Sequence, residues 1–259
     1  MKYKEYQPGG YLKKYIDAYW ILETDSIYRP VSRRFFVDCT TEILINMGTS
    51  TPYVNAVTPL CPGNIYICGT ITRPNEVLSV PNSCFVGIRF KPGGISVFYD
   101  LSYNELVDRV IEFHDQPLIS VIDLDEQLPE RLDKFFCSRI KDNHSTGVQI
   151  AETIANYQGI TTVDWIAKNY NLSTRTLERI FNRSIGIPPK ELINIMRFVN
   201  VRKRIIQQGN NNESLLQIAF EAGYFDHAHL TREFKKYAGL NPSEIKKWSV
   251  QPNHISLNL

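Results

Sequence analysis

An internal repeat in the C-terminal part of the chain limits its possible folds more than any other feature. The segment "IAKNYNLSTRTLERIFNRSIGIPP" aligns with "IAFEAGYFDHAHLTREFKKYAGLNP" at a period of 52 to 53 residues. A repeat of this length predicts two copies of one supersecondary unit. Ile166-Ala167 match Ile218-Ala219, and after one inserted residue in the turn the matched pairs are Leu177 with Leu230, Arg179 with Arg232, Phe181 with Phe234, Gly186 with Gly239 and Pro189 with Pro242.

Each copy has the pattern of a short helix, a turn and a second helix with a strong N-cap. Ser173 and Asp226 stand at the start of the second helices, where a side-chain oxygen can accept hydrogen bonds from free backbone N–H groups. An apolar residue before each cap and another inside each helix predict two hydrophobic staples, which fix the register. The predicted staple pairs are Leu172 with Leu177 and Phe225 with Leu230.

The second helix of the first copy has two opposed faces. At about 100° per residue, Leu177, Ile180 and Phe181 form one apolar stripe, and polar residues lie opposite. In the major groove, arginine can bond guanine, asparagine can bond adenine and glutamate can accept from cytosine. A solvated face with ordinary ion pairs is the alternative interpretation. The predicted DNA-binding residues of this helix are Thr174, Arg175, Glu178, Arg179 and Asn182.

The matching helix of the second copy has a less distinctive polar face. Its shorter side chains favour positioning on phosphate over discrimination between bases. The two histidines of "HAH" lie about 200° apart on a helix, so no shared metal ion is expected. The predicted DNA-binding residues of this helix are His227, Ala228, Thr231, Arg232 and Lys235.

The segment between the two copies, "IPPKELINIMRFVNVRKRIIQQG", predicts one long helix from Pro189 to Gln208. At about 1.5 Å rise per residue this helix is a rod of roughly 30 Å. Successive major-groove faces on one side of B-DNA lie roughly 34 Å apart, so two helix-turn-helix units joined by such a rod can reach both. The cluster of Arg202, Lys203 and Arg204 is either a phosphate clamp or a solvated face of the rod.

The first part of the chain consists of short runs rich in β-branched and aromatic residues. Runs such as "EILINM" and "CFVGIRF" are separated by turn sequences such as "TPLCPGN" and "KPGG", which is typical of a small barrel or sandwich. After "KPGG", apolar residues recur at spacings of three and four, which predicts helices. The predicted fold class is therefore α+β: a β-barrel or cupin-like domain with accessory helices, followed by an all-α domain. The predicted boundaries are a sensor-like domain at 1–112, a helical connector that could support dimerisation at 113–141, a linker at 142–147, the tandem helix-turn-helix domain at 148–248 and a tail at 249–259.

Six residues of the β part are candidates to line a ligand pocket, with Arg89 placed to take an anionic group. The alternative is that the aromatic residues belong to the core and that Arg89 pairs with a carboxylate such as Glu42. The candidates are Trp20, Phe36, Tyr53, Tyr66, Arg89 and Phe98.

Charge and cysteine content narrow the class of protein. Residues 1–145 carry 15 Lys and Arg against 18 Asp and Glu, whereas residues 146–259 carry 14 against 9. A basic second part points weakly to a polyanionic partner.

Five cysteines without a C-x-x-C pair suggest reduced thiols and no zinc motif. No apolar run approaches the roughly 18 to 20 residues of a membrane span, so we expect a cytoplasmic protein.

The repeat resembles the DNA-binding domain of the AraC/XylS family of bacterial transcription regulators. The most specific piece is "LLQIAFEAGYFDHAHLTREFKKYAGLNPSEIKKW". The chain departs from the family pattern at Ile245 and Lys246, where Tyr-Arg is usual, and at Val201, where Ala is frequent. The pieces "DCTTEILINMG" and "FVGIRFKPGGISVFYDLSYNELVDRVIEF" are similar to one branch of the family's sensor domains.

The resemblance implies a regulator that binds double-stranded DNA through both reading helices. It also implies a homodimer, a small-molecule effector of unknown identity, contact with RNA polymerase, and activation more often than repression. No cofactor and no metal are expected. An enzyme is not expected either, because the β part has no histidine before His114, no P-loop and no Ser-His-Asp set. The alternative function is a small-molecule sensor or protein-interaction module that does not bind DNA.

Overall fold

The computed structural model describes residues 1–141, 145–207 and 214–249 of the chain. The predicted α+β class is confirmed: strands dominate up to residue 113 and helices follow. Parts of three predictions lie outside the described residues, namely the first residues of the 142–147 linker, Gln208 at the end of the long helix, and the tail beyond Ser249. Among the described helices, none combines the length and the apolar character that a membrane span requires.

The β region forms two antiparallel sheets. Its six-stranded sheet has the order β1-β2-β9-β4-β7-β10, and its four-stranded sheet has the order β3-β8-β5-β6. The strands in the described residues are β1 (Lys2–Tyr6), β2 (Ile16–Glu23), β3 (Val31–Phe35), β4 (Thr41–Asn46), β5 (Tyr53–Val54), β6 (Thr58–Pro59), β7 (Ile65–Cys68), β8 (Asn75–Ser79), β9 (Cys84–Phe90) and β10 (Val110–Phe113).

The central strands of the six-stranded sheet are buried on both faces, which explains their continuous apolar runs. Successive side chains of a strand point to opposite faces. In β4, Ile43 and Ile45 pack in one core, whereas Leu44 packs in another. One core lies against the helices that follow β9, and the other lies between the two sheets. The run "EILIN" is therefore apolar without the alternation that a half-exposed strand would show.

Trp20 lies on the face between the sheets because its cross-strand neighbour is a glycine. Trp20 pairs with Gly87 across β2 and β9. A Cβ atom at Gly87 would collide with the indole ring, so a larger residue in β9 would displace the tryptophan. The glycine of "CFVGIRF" thus fixes the place of the largest side chain in that core.

Short helices cover the outer face of the six-stranded sheet. Phe136 packs against Phe98 with ring centroids 5.0 Å apart and against Phe90 at 5.6 Å. Edge-to-face contacts of this kind bind the helices to the sheet. The helices are α1 (Tyr103–Leu106), α2 (Gln116–Ile119) and α3 (Leu128–Cys137), with 3₁₀ turns at Gly10–Lys14 and Gly94–Val97.

The helical region repeats one unit, as predicted. In each unit a short capped helix leads into a second capped helix. Thr162 and Ser214, which are 52 residues apart, cap the first helices and were not among the predicted caps. The helices are α4 (Ser145–Asn156), α5 (Val163–Asn169), α6 (Thr174–Ser184), α7 (Pro189–Gln207), α8 (Leu215–Glu221), α9 (His227–Ala238) and α10 (Pro242–Ser249). We call α5 and α6 the first unit, α8 and α9 the second unit, and α6 and α9 the reading helices.

The predicted caps of both reading helices are present. Ser173 Oγ accepts a hydrogen bond from the backbone N–H of Thr176 at 3.1 Å, and Asp226 Oδ1 accepts one from that of His229 at 2.6 Å. The carboxylate also places negative charge at the positive end of the α9 dipole. The two helices begin where the sequence predicted.

Only one of the two predicted hydrophobic staples forms. Leu172 packs against the helical core that contains Leu177. The prediction was wrong for Phe225, which is 85% exposed. Its neighbour Tyr224 is 2% exposed and occupies the core position before the second reading helix. The longer turn of the second unit shifts the buried aromatic residue by one position.

Replacing Asp226 with alanine is expected to lower the free energy of unfolding of the helical region by about 1 kcal/mol, because one N–H of α9 loses its acceptor. Asp226→Asn is the matched control, since an asparagine cap is nearly as strong. Urea denaturation of both variants checks this. An equal loss in the asparagine variant would assign the effect to charge instead of capping.

Candidate nucleic-acid interface

The polar face of α6 is fully presented to solvent. All five predicted residues are exposed, whereas Leu177 and Phe181 have no exposed surface. Ile180 is half-buried and packs on the same core. The opposed faces follow from the period of the helix, because residues three and four apart share a side. The exposed predicted residues are Thr174, Arg175, Glu178, Arg179 and Asn182.

The polar face of α9 is presented in a similar way, with one difference. Thr231 is half-buried, and its hydroxyl donates to the backbone oxygen of His227 at 2.8 Å. This bond occupies the hydroxyl proton of Thr231 within the helix. The other four predicted residues, which are His227, Ala228, Arg232 and Lys235, are exposed.

The two histidines of α9 lie in different surroundings. His229 packs against Tyr224 with ring centroids 5.1 Å apart, and its Nε2 lies 3.7 Å from Glu233 Oε1. His227 is exposed, with Nδ1 3.4 Å from the Thr231 hydroxyl. Within residues 1–141, 145–207 and 214–249, no group of three or more His, Cys, Asp or Glu side chains could hold a metal ion.

Helix α7 carries both units. Its 19 residues give a length of about 28 Å at 1.5 Å rise per residue. Arg197 Nη2 donates to the carbonyl of Gly159 at 3.2 Å, which fixes the turn before the first unit. Lys236 Nζ lies 2.6 Å from Glu191 Oε1, and the Tyr237 hydroxyl donates to the same oxygen at 3.2 Å. The turn before the first unit and the second reading helix are therefore each tied to the long helix by a polar contact.

Two residues of the basic cluster on α7 make contacts within the protein, and burial excludes the phosphate-clamp interpretation for Arg202. Arg202 is 3% exposed and stacks on the rings of Phe36 and Phe198. Arg204 pairs with Glu221 at 2.5 Å, and this hydrogen bond lowers the pKa of the glutamate. Lys203 is half-exposed. The periodicity of α7 turns Arg202 toward the β region, which the sequence alone did not reveal.

A cavity of about 130 Å³ lies between the two sheets of the β region. Its lining is mostly apolar, with a few polar side chains. The lining residues are Trp20, Leu22, Arg33, Phe35, Asp38, Thr40, Glu42, Leu44, Pro52, Val54, Leu60, Cys68, Gly69, Ile71, Asn75, Val77, Ser79, Ser83, Phe85 and Val110.

Of the six predicted pocket residues, Trp20 lines this cavity and the other five lie elsewhere. Phe36 packs in the helical core, and its neighbour Phe35 faces the cavity instead, because adjacent residues of an extended chain point to opposite sides. Tyr53 is 41% exposed on β5. Tyr66 is buried, and its hydroxyl accepts from the backbone N–H of Cys61. Phe98 belongs to the aromatic cluster on the outer face of the sheet.

Arg89 is held in an ion cluster and does not reach the cavity. Its Nε donates to Glu42 Oε1 at 2.8 Å, and its Nη1 lies 3.4 Å from Glu5 and 3.7 Å from Asp17. This is the pairing that the alternative interpretation of Arg89 predicted. Burial raises the pKa of Glu42, and the neighbouring guanidinium opposes that rise.

Comparison with known families agrees with this geometry. A family model described as a helix-turn-helix domain matches residues 166–247, and another, described as a domain of unknown function (DUF6597), matches residues 4–112. The "HTH-type transcriptional activator RhaS" of Escherichia fergusonii is 32% identical over 87 residues, which are 33% of this chain and 30% of that protein. The chain carries an AraC-type helix-turn-helix domain.

Two further transcription regulators are similar to part of this chain. The "Melibiose operon regulatory protein" of Escherichia coli K12 is 29% identical over 96 residues, 37% of this chain and 31% of the relative. The "Lactose operon transcription activator" of Staphylococcus xylosus is 26% identical over 103 residues, 40% of this chain and 34% of the relative. The matched part spans about a third of the length of these relatives.

Two solved structures show a weaker likeness. ToxT of Vibrio cholerae has 13% identity and a TM-score of 0.48, with 85% of this chain and 97% of that chain covered. An AraC-type regulator of Chromobacterium violaceum has 21% identity and a TM-score of 0.38, with 43% of this chain and 99% of that chain covered.

Proposed function

We propose that this chain is a sequence-specific transcription regulator that reads two successive major grooves of double-stranded DNA. One observation carries the proposal. The capped helices α6 and α9 each expose a polar face, and the long helix α7 joins the two units to which they belong. We place the DNA-binding domain at residues 148–248. We assign hydrogen bonds with base edges to four residues of α6, which are Arg175, Glu178, Arg179 and Asn182. We assign contacts with the phosphate backbone to the residues of α9.

The proposal extends to partners. A homodimer would double the DNA contact, and contact with RNA polymerase would make the chain an activator. The cavity between the sheets is the proposed site of a small-molecule effector. No enzymatic role is proposed, because the polar side chains around the cavity make no triad or metal-ligand set among the described residues.

DNA selected from a random-sequence library tests this function. The full chain should retard the selected duplex in a mobility-shift assay, with an affinity that falls steeply as salt rises. A sensor or interaction module without DNA binding would retard no duplex even at low salt. That result would contradict the proposal.

Two substitutions separate base contacts from phosphate contacts. Arg179→Ala should lose about 1–3 kcal/mol on the selected duplex and little on unrelated DNA, because it removes a donor to base edges. Lys235→Ala should weaken both duplexes alike and reduce the salt slope by about one. Arg73→Ala, whose side chain is 72% exposed in the β region, is the matched control and should change neither. Equal losses on all DNA for both variants would refute the division of roles.

A further inference from the structure

Two short segments form the wall of the cavity that lies toward the helical region. The first wall segment is residues 35–40, from the last residue of β3 to the residue before β4, and the second is residues 69–71, after β7. Both segments contribute side chains to the cavity and make contacts with the helical region. They therefore connect the cavity physically to the helical region.

The side chains of the first wall segment point in two directions. Phe35, Asp38 and Thr40 line the cavity, whereas the other three residues are buried in the core of the helical region. Those three are Phe36, Val37 and Cys39.

The first wall segment contacts both α9 and α7. The backbone N–H of Val37 donates to the carbonyl of Tyr237, near the end of α9, at 3.4 Å. The guanidinium of Arg202 lies 5.4 Å from the ring centre of Phe36. Burial lowers the pKa of Arg202, and the Asp38 carboxylate opposes this change electrostatically. A residue that lines the cavity therefore stabilises the charge of a residue on α7.

The second wall segment contacts the other reading helix. Gly69 and Ile71 line the cavity, and Thr70 between them donates from Oγ1 to the carbonyl of Ile185 at 3.0 Å. Ile185 is the C-cap of α6. At Gly186, where φ is 89°, a Cβ atom would collide with the carbonyl of Tyr103. The chain just after α6 thus lies tightly against the β region.

The chemistry of the cavity selects a class of ligand. Its volume of about 130 Å³ is close to the roughly 150 Å³ that holds a benzene ring in an engineered protein. Of the two carboxylates on its wall, Glu42 is already bonded to Arg89. Asp38 Oδ1 accepts from Thr40, whereas Asp38 Oδ2 is buried and has no hydrogen-bond partner in the described part of the chain, so it is an acceptor open to a ligand. Arg33 is the one cation among the described lining residues, and it already donates to the Tyr28 hydroxyl at 2.8 Å.

We propose that the cavity binds a small cation with a single apolar ring, and that its occupancy is transmitted through the two wall segments to the ends of α6 and α9. Because each reading helix has its own wall segment, a ligand that moves the segments would change the spacing of the two helices. The inference rests on the proposed function, since it assigns an effector class and a route to that regulator.

Hydrogen–deuterium exchange on the full chain without DNA tests the route, with benzylamine as the probe and benzoate as its anionic counterpart. Benzylamine is added at roughly ten times its Kd. Amides that exchange only after the ligand has left the cavity should then exchange about tenfold more slowly, because binding stabilises the closed state. The slowing should include the amides of Val37, Ile185 and Gly186. Benzoate should leave exchange unchanged. Val77→Trp, which places an indole in the cavity, should abolish the response.

A matched pair of variants tests the second wall segment. Thr70→Val removes the bond to Ile185, whereas Thr72→Val removes a bond from the same loop to Asp108, inside the β region. The benzylamine response at Ile185 and Gly186 should be lost in Thr70→Val and kept in Thr72→Val, while the response at Val37 persists in both.

The proposal is overturned if benzylamine changes nothing, if benzoate acts equally, or if the response stops at the wall segments. An unchanged response in Thr70→Val would overturn the route to α6. Because no DNA is present, these outcomes are independent of the mobility-shift assay, so failure of the route can be told apart from failure of the proposed function.

Discussion

Replacing Phe181 with alanine is expected to destabilise the helical region by about 3–5 kcal/mol and to abolish sequence-specific DNA binding. The ring has no exposed surface and lies in the core shared by both units and α7. Its removal leaves a cavity that the surrounding helices fill only in part. The α6 face opposite this ring then loses the support that holds it in position.

Denaturation in urea and the mobility-shift assay measure the two effects of Phe181→Ala. Glu178→Ala is the control on the same helix, because its side chain is exposed and its removal should change stability by less than about 0.5 kcal/mol. That control should alter base preference while the fold persists. If Phe181→Ala kept full stability, the assignment of α6's buried face would be wrong.

Replacing Arg89 with methionine is expected to destabilise the β region by up to about 3–5 kcal/mol, because it leaves the half-buried carboxylate of Glu42 without its partner. Arg89 is 4% exposed, and Glu42 accepts its shortest bond at 2.8 Å. The double variant Arg89→Met/Glu42→Gln should recover part of the loss, since it removes the unpaired charge as well. Urea denaturation of the three proteins provides the comparison.

The loss in Arg89→Met should depend on pH with a defined sign. Burial already raises the pKa of Glu42, and Arg89 opposes that rise, so removing Arg89 raises the pKa further. A carboxyl with a raised folded-state pKa favours folding at low pH, and that contribution disappears as pH rises through the folded-state value. The penalty should therefore be smaller at pH 5 than at pH 8. A penalty that grows on acidification would exclude Glu42 as its cause.

The helical region was predictable because its signals are local and occur twice. The caps at Ser173 and Asp226, the period of the apolar residues and the Pro189 start of α7 each depend on neighbours a few positions away. Phe225 is the exception, since only the packing of the longer turn decided that Tyr224 would be buried in its place.

The cavity was less predictable because it depends on strand register. A strand pattern indicates which residues alternate, and a shift by one residue reverses every side chain. Phe36 was predicted for the pocket and Phe35 lines it. Asp38 and Thr40 lie in the connection to β4. Residues outside a strand do not alternate regularly, so the sequence does not predict which way their side chains point. Pairing of distant strands decided their direction.

The sequence by itself determined the two repeated units, the capped starts of their reading helices and the polar faces that these helices expose. Local hydrogen bonds and helical periodicity are sufficient to determine these features, because each depends on residues only a few positions apart. The tertiary structure alone decided that Arg202 is buried against Phe36, and that residues 35–40 and 69–71 join the cavity to the reading helices. Those contacts connect residues more than a hundred positions apart, and only the packing of the β region on the helical region brings them together.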